Sequence, residues 1–170
     1  MSPETGPHWT SEQRQRVEEL IDEYRTALHD SLNDLTEEEA RRRLVPSKTT
    51  LLGLVKHVTF VEGVWCDQAV TGRSYADIGI AGTVDGSFSL GKRDTITSVQ
   101  AAYRERWETS RAHVAGLRSD EVVDGRGAHP VWALQLQVLR ELAQHAGHAD
   151  ILREQVLASR SSARPSSRRS

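Results

Sequence analysis

The sequence predicts an all-α protein, an up-down four-helix bundle with a long loop between its second and third helices. Four long segments repeat apolar residues at the three- and four-residue intervals of a helix that buries one side. None of the remaining segments shows the strict alternation of a half-buried strand. A chain of 170 residues suits one domain around one core. Amphipathic helices of this number bury their apolar sides most simply against one another, as a bundle.

Two capping boxes mark helix starts in the first part of the chain. The first long helix is predicted to begin near Thr10, which has capping-box spacing to Gln13. A short helix is predicted from Thr36, with Glu39 as its capping partner, and it ends before Pro46 because the residue preceding a proline disfavours helical backbone. The apolar stripe of the first long helix contains Val17, Leu20, Ile21, Tyr24 and Leu28.

The second long helix is predicted over residues 50–70. Gly72 follows it and can adopt the left-handed conformation that ends many helices. Residues 72–92 are rich in glycine and poor in apolar side chains, which predicts a loop with at most short extended pieces. This loop is the long connection of the bundle.

The third and fourth long helices complete the bundle. The third is predicted to begin near Thr95. Its inward stripe contains Val99, Tyr103, Trp107, Ser110, Val114 and Leu117. The fourth follows Pro130, a residue suited to the first turn of a helix, and continues to about Ala158. The tryptophans expected in the core are Trp65, Trp107 and Trp132.

Composition divides the chain into three parts and excludes several classes of protein. Residues 1–9 are expected to be flexible, residues 10–158 to form the domain, and residues 159–170, mostly serine and arginine, to form a disordered tail. A net charge of -2 argues against a nucleic-acid binder. The single cysteine and the lack of a long apolar run fit a cytoplasmic protein without a membrane span.

The polar residues on the apolar stripes point to the site. On the second helix, His57 shares its stripe with Leu54 and Val61. On the fourth, the predicted inward side carries Glu141, His145 and His148 between aliphatic residues. Burying an ionised carboxylate without a partner costs several kcal/mol, so Glu141 needs a compensating group.

A divalent metal ion is one such group. Glu141 and His145 are four residues apart, about 6 Å on a helix, and can hold one ion together. His57 can supply a third ligand from the facing helix, as in metal-binding bundles. Two imidazoles and one carboxylate leave a vacant position, which is typical of catalytic metal sites. The spacing alone is equally compatible with a hydrogen-bonded His–Glu pair that holds no metal.

The other reactive side chains are assigned to less specific roles. His148 is expected beside the ligands, as a supporting group, as an acid or base or as part of the pocket lining; replacement of Glu141 as a ligand is a further alternative. Surface positions are predicted for the remaining histidines, His8, His29, His113 and His129. Cys66 has no cationic neighbour in the sequence and is expected to be a buried structural thiol.

Two motifs resemble a known family. Residues 44–57, LVPSKTTLLGLVKH, followed by Glu62 and Trp65, resemble the second-helix signature of the DinB/YfiT-like superfamily. Residues 141–154, ELAQHAGHADILRE, resemble its fourth-helix signature. The resemblance covers roughly residues 10–157, and its form is that of an actinobacterial branch related to mycothiol-dependent enzymes, similar to the N-terminal part of maleylpyruvate isomerase.

The resemblance implies a metal-binding four-helix bundle that is commonly a homodimer. The family's ligands are a histidine on the second helix and two residues four apart on the fourth, which here are His57, Glu141 and His145. Many members carry histidine where this chain has Glu141. Zn²⁺ is the first choice of metal, with Ni²⁺, Fe²⁺ and Mn²⁺ as alternatives because a carboxylate also suits harder ions.

The resemblance further implies an enzyme that uses mycothiol, a low-molecular-weight thiol, as cosubstrate. The predicted reaction is an S-transfer or isomerisation that acts on a small electrophile. Two alternatives stay open: a metal-dependent hydrolase of a small molecule, with His148 as base, and a bundle whose metal has no catalytic role. The residues that recognise the thiol are unknown from the sequence, and residues 72–92 and 126–132 are candidates for lining the mouth of the site.

Overall fold

The computed structural model describes residues 13–162, and this part of the chain is all-α as predicted. The four long helices are α1 (Gln13–Asp30), α3 (Leu51–Glu62), α7 (Ile96–Ala115) and α8 (Val131–Ser162). The short helices are α2 (Glu37–Ala40), α4 (Ala69–Thr71), α5 (Tyr75–Ile78) and α6 (Val84–Ser87). Two short strands that the sequence pattern does not predict, β1 (Val122–Val123) and β2 (His129–Pro130), pair antiparallel before α8.

Side-chain caps fix most of the predicted helix starts. Thr36 and Glu39 form the predicted capping box at α2. Thr50 caps α3, where its hydroxyl accepts a hydrogen bond from the Gly53 amide, and Thr95 caps α7. The predicted cap of the first long helix, Thr10, lies outside the described residues.

The predicted second helix is continuous but changes its winding. After α3, residues Gly63–Gln68 form a π-helical turn, and α4 then ends at Gly72, which has the predicted left-handed backbone with φ of 73°. A π-helical turn inserts one extra residue into a helix and so rotates the residues after it about the helix axis. Glu62, just before this turn, and Asp67, within it, are both buried.

The long helices pack around one aliphatic core. Helix α1 packs on α8, and α3 packs on both α7 and α8. The core contains Leu28, Leu32, Leu52, Leu54, Val55, Val58, Val138 and Leu142. Trp65 and Trp107 pack against its edge, but the prediction for Trp132 is wrong, since 51% of it is exposed. In the first turn of α8, Val131 takes the inward position and turns its neighbour Trp132 outward.

The segment between the second and third long helices contains more structure than a loop. Ser74 caps α5 and Thr83 caps α6. Phe88, directly after α6, packs on the core. Residues 72–92 therefore fold back onto α3, and the prediction of a loop is wrong for α5 and α6, which are short helices.

The last helix extends past its predicted end at Ala158. Ser159 and Arg160, assigned to a disordered tail from composition, lie in α8, and the Arg160 guanidinium binds both carboxylate oxygens of Glu39 at 2.7 Å. The rest of the predicted tail, from residue 163 on, lies outside the described residues, as do residues 1–9. Within the described range of residues, no helix has the length and apolar character needed to cross a membrane.

Candidate metal centre

Packing of α3 against α8 brings together the three side chains selected from the sequence. His57 lies on α3, and Glu141 and His145 lie one turn apart on α8. One potential ligand atom from each lies within 4.8 Å of the others. His57 and His145 are buried, whereas 19% of the Glu141 side chain is exposed. The group is therefore closed on the core side and reached by solvent past Glu141.

The His57 ring is held by the segment that contains α6. Its Nδ1 lies 2.7 Å from the Ser87 hydroxyl, which in turn donates to the carbonyl oxygen of Val84 at 2.5 Å. The ring stacks on Phe88 with 3.9 Å between ring centroids and 13° between planes. The His145 ring stands edge-on to His57 at 4.7 Å. The stack fixes the plane of the His57 ring and the hydrogen bond fixes its rotation within that plane.

Both imidazoles are neutral at pH 7. Burial, together with the nearby His145, lowers the pKa of His57 to about 4. Burial also lowers the pKa of His145, against the opposing effect of the Glu141 carboxylate. A neutral imidazole carries the lone pair that a metal ion requires, so the site is ready to bind a cation without first releasing protons from these rings.

The Glu141 carboxylate is oriented by two neighbours on its own helix. Its Oε1 accepts hydrogen bonds from Gln137 Nε2 at 3.0 Å and from an Arg140 guanidinium nitrogen at 2.5 Å. Its Oε2 faces His145 Nε2 at 3.5 Å. That distance is longer than the usual 2.7–3.2 Å of an N–H···O hydrogen bond. A simple hydrogen-bonded His–Glu pair therefore accounts poorly for this geometry.

The other ring nitrogen of His145 is unsatisfied. Its Nδ1 is buried and has no hydrogen-bond partner within residues 13–162. An unsatisfied buried polar atom costs about 1–3 kcal/mol. Two imidazoles and one oriented carboxylate whose potential ligand atoms converge form a donor set that fits a divalent cation such as Zn²⁺.

His148 does not lie on the inner side of α8 as the sequence predicts. It is exposed, one turn beyond His145 along the outer edge of the site, with 5.6 Å between the two ring centroids. A side chain in this place can exchange protons with solvent.

The remaining histidines lie away from the site, and three are less exposed than predicted. His29, His113 and His129 are half-buried, and His113 Nδ1 lies 3.0 Å from the backbone carbonyl of Cys66. His129 lies in β2 beside Trp65. His8 lies outside the described residues.

Cys66 has the properties of a structural thiol. It is buried, and burial together with the Glu62 carboxylate raises its pKa to about 12. Glu62 itself is fully buried and accepts two hydrogen bonds from the Arg25 guanidinium, at 3.0 and 2.7 Å. A thiol that stays protonated at neutral pH is a poor nucleophile.

Four residues that contact the candidate ligands are not among the sequence predictions. Two of them, Gln137 and Arg140, lie within one turn of Glu141, so helical spacing is a signal that could have identified them. Ser87 and Phe88 come from a segment without periodicity, about thirty residues from His57, and no local signal marks them.

The two segments predicted to line the mouth differ in position. Residues 72–92 contribute Ser87 to the site and also border a cavity of about 360 Å³ between α3, α7 and residues 79–81. In residues 126–132, the guanidinium of Arg126 instead contacts Gln68 and Tyr75, near the end of the π-helical turn.

Comparison with known proteins adds one finding. A family model described as mycothiol-S-transferase matches residues 16–158, from the first turn of α1 almost to the end of α8. A search of curated proteins found no match to the chain.

Proposed function

Since the chain belongs to the mycothiol-S-transferase family, we propose that it is a metal-dependent enzyme that joins the sulfur of mycothiol to a small electrophile. The family implies S-transfer from mycothiol in general. The observation that supports the metal-dependent form of this activity is the convergence of potential ligand atoms from His57, Glu141 and His145 within 4.8 Å.

In this proposal His57, Glu141 and His145 hold one divalent cation. Two neutral nitrogen donors, one carboxylate and an open coordination position suit a catalytic Zn²⁺, while Ni²⁺, Fe²⁺ and Mn²⁺ are alternatives. A cation bound there lowers the pKa of a coordinated thiol, so the thiolate is present near neutral pH.

The chain's own residues orient the ligands and handle the proton. Gln137 and Arg140 keep one oxygen of Glu141 engaged, which leaves the other free to bind. The thiol loses its proton, its sulfur forms a bond to carbon, and the bond from that carbon to the leaving group breaks with its electron pair. His148, exposed beside His145, is the proposed acceptor of the thiol proton and passes it to water.

The open side of the site favours an enzyme over a structural metal. A metal that only stabilises the fold is normally surrounded by four protein ligands and kept from solvent. Here the candidate ligand Glu141 is 19% exposed, and His148, one turn beyond the candidate ligand His145, is exposed. Small molecules can therefore approach the proposed metal position.

Product analysis tests the proposal. The protein, purified without a metal-affinity tag and analysed for metal, is incubated with mycothiol and 1-chloro-2,4-dinitrobenzene, and the products are identified by mass spectrometry. We expect the mycothiol thioether to form faster than without protein, and the increase to disappear after chelation of the metal or in Glu141→Gln.

The alternatives give different products. A hydrolase would add water to small ester or amide substrates and leave mycothiol unchanged. A bundle with a purely structural metal would produce neither product. Either result with a metal-loaded, folded protein would contradict the proposed transferase.

A further inference from the structure

Ser87 makes a buried hydrogen-bond relay to His57. Only 1% of Ser87 is exposed, and its hydroxyl oxygen lies 2.7 Å from His57 Nδ1 and 2.5 Å from the carbonyl oxygen of Val84. Both distances are those of well-formed hydrogen bonds. Ser87 is not one of the proposed metal ligands, so its contact with His57 must have a role other than metal binding.

The protons of this relay can be assigned by elimination. A serine hydroxyl has one proton to donate, and a backbone carbonyl oxygen is only an acceptor. The Ser87 proton therefore points to Val84, and Ser87 Oγ must accept from His57 Nδ1. A neutral imidazole carries one proton, so the lone pair of His57 is on Nε2.

We infer that Ser87 is a positioning residue that holds His57 in its Nδ1–H tautomer and makes Nε2 the atom that binds the metal. The inference rests on the proposed function for its metal-binding part, whereas the tautomer is a property of the chain itself. Metal-binding histidines are generally oriented in this way, by a hydrogen bond from the ring nitrogen that does not bind the metal.

Several contacts hold the Ser87 segment in place beside α3. Thr83 caps α6, and Lys48 forms an ion pair with Asp85. The Phe88 carbonyl oxygen approaches α3 so closely that a Cβ at Gly53, one turn before His57, would lie 2.8 Å from it.

A further anchor lies just after Phe88. The Lys56 ammonium group, next to His57 in sequence, donates to the carbonyl oxygen of Ser89 at 2.8 Å. Side-chain contacts on both sides of Ser87 thus hold its hydroxyl at a fixed distance from the ring. A positioning role requires such rigidity, because a mobile hydroxyl would not select one tautomer.

The tautomer can be measured without a metal. Long-range ¹H–¹⁵N correlation spectra of the metal-free, ¹⁵N-labelled protein distinguish a protonated from an unprotonated ring nitrogen. We expect a protonated Nδ1 and an unprotonated Nε2 for His57 in the wild type at pH 7. In Ser87→Ala the Nε2–H form should become populated. A wild-type His57 with its proton on Nε2 would overturn the inference.

Zn²⁺ titration against a chelating dye tests the consequence for the metal. Losing the partner of a metal-binding histidine lowers metal affinity about 10- to 100-fold, which is the expected effect of Ser87→Ala. Ser87→Thr keeps a hydroxyl and should restore most of the affinity. Ser110→Ala is the matched control: Ser110 is also 1% exposed, but it lies on α7 and makes no hydrogen bond to His57, Glu141 or His145.

The outcomes separate the two claims. Wild-type affinity in a folded Ser87→Ala variant, with its melting temperature recorded, would overturn the positioning role. A wild-type protein that binds no Zn²⁺ would overturn the proposed function, while the spectra would still decide the tautomer. An equal loss of affinity in Ser110→Ala would assign the effect to packing and also overturn the inference.

Discussion

At the scale of single residues, substitution of Glu141 can distinguish a metal site from a hydrogen-bonded His–Glu pair. Gln137 and Arg140 hold one of its oxygens, and the other lies 3.5 Å from His145. Glu141→Gln keeps the shape and removes the charge, and we expect Zn²⁺ affinity to fall at least tenfold, since a lost ligand should cost no less than a lost ligand partner. Isothermal titration calorimetry measures the change.

His148→Ala is the control for this substitution. His148 lies on the same helix and is exposed, so its loss should leave metal affinity unchanged and slow only the proposed proton transfer. If Glu141→Gln bound Zn²⁺ as tightly as the wild type and His148→Ala did not, His148 would replace Glu141 as the third ligand.

Glu62 shows how a residue can belong to a recognisable motif without revealing its function. It is fully buried and shares two hydrogen bonds with the buried Arg25. Removing the Glu62 charge leaves the buried Arg25 guanidinium with only the part-exposed Asp22 carboxylate, at 2.8 Å, as a partner. Breaking a buried ion pair costs about 3–5 kcal/mol, so Glu62→Gln should lower the free energy of unfolding by up to about that amount.

Urea denaturation of Glu62→Gln and of Glu105→Gln measures this effect. Glu105 is an exposed carboxylate on α7, and its substitution should change stability by less than about 0.5 kcal/mol. Equal stability of the two variants would show that the Arg25–Glu62 pair is not a major contributor.

At the scale of the elements, the sequence predicts where helices begin but not the π-helical turn that interrupts the second long helix. Thr36, Thr50 and Thr95 begin helices because their hydroxyls accept from backbone amides three residues on. The π-helical turn Gly63–Gln68 leaves the apolar pattern of the second helix nearly intact, so a 3.6-residue period conceals it. Its signature is tertiary: Asp67, within the turn, is buried and pairs with Arg106 of α7 at 2.9 Å.

The end of α8 depends on a contact distant in sequence. Arg160 binds Glu39, and this hydrogen bond, with that from the Thr36 amide, lowers the pKa of Glu39 from 4.5 to about 2. A carboxylate whose pKa is lower in the folded state stabilises the fold above its unfolded value and loses that effect as the pH falls. Stability from this contact should therefore be complete above pH 4.5 and decline toward pH 2.

Thermal melting of Arg160→Gln between pH 6 and pH 2.5 tests this pH dependence. The variant should lose stability at pH 6 and depend less on pH than the wild type. Arg153→Gln is the control, because Arg153, also on α8, donates to the backbone carbonyls of Ser31 and Asn33 rather than to a carboxylate. Its effect should not depend on pH, and parallel curves for Arg160→Gln and wild type would contradict the assignment.

At the scale of the whole molecule, periodicity in the sequence predicts the fold class and the convergence of the three candidate ligands, but not the residues that surround them. His57, Glu141 and His145 were found because each occupies an inward place in an apolar stripe. Ser87 and Phe88 contact His57 because residues 72–92 fold back onto α3. This contact joins residues far apart in the sequence, so no hydrophobic periodicity predicts it. The error for Trp132 has a different origin: Val131 faces the core in the first turn of α8, so its neighbour Trp132 faces outward.

The family resemblance also predicts a homodimer. Trp132 and Leu136, one turn apart on α8, are both about half exposed and offer apolar surface for a second copy. Light scattering at micromolar concentration should give twice the chain mass of 19.0 kDa. A mass of 19.0 kDa would contradict the dimer and leave the site unaffected.

The central claim is that His57, Glu141 and His145 hold a metal ion to which a thiol binds. Absorption spectroscopy of the Co²⁺-loaded protein during addition of mycothiol tests it most directly, because a cobalt–thiolate bond has a charge-transfer band that nitrogen and oxygen ligands lack. We predict that this band appears and saturates with mycothiol in the wild type, and that it is absent in Glu141→Gln. A Co²⁺-loaded wild type whose spectrum stays unchanged at saturating mycothiol would contradict the claim.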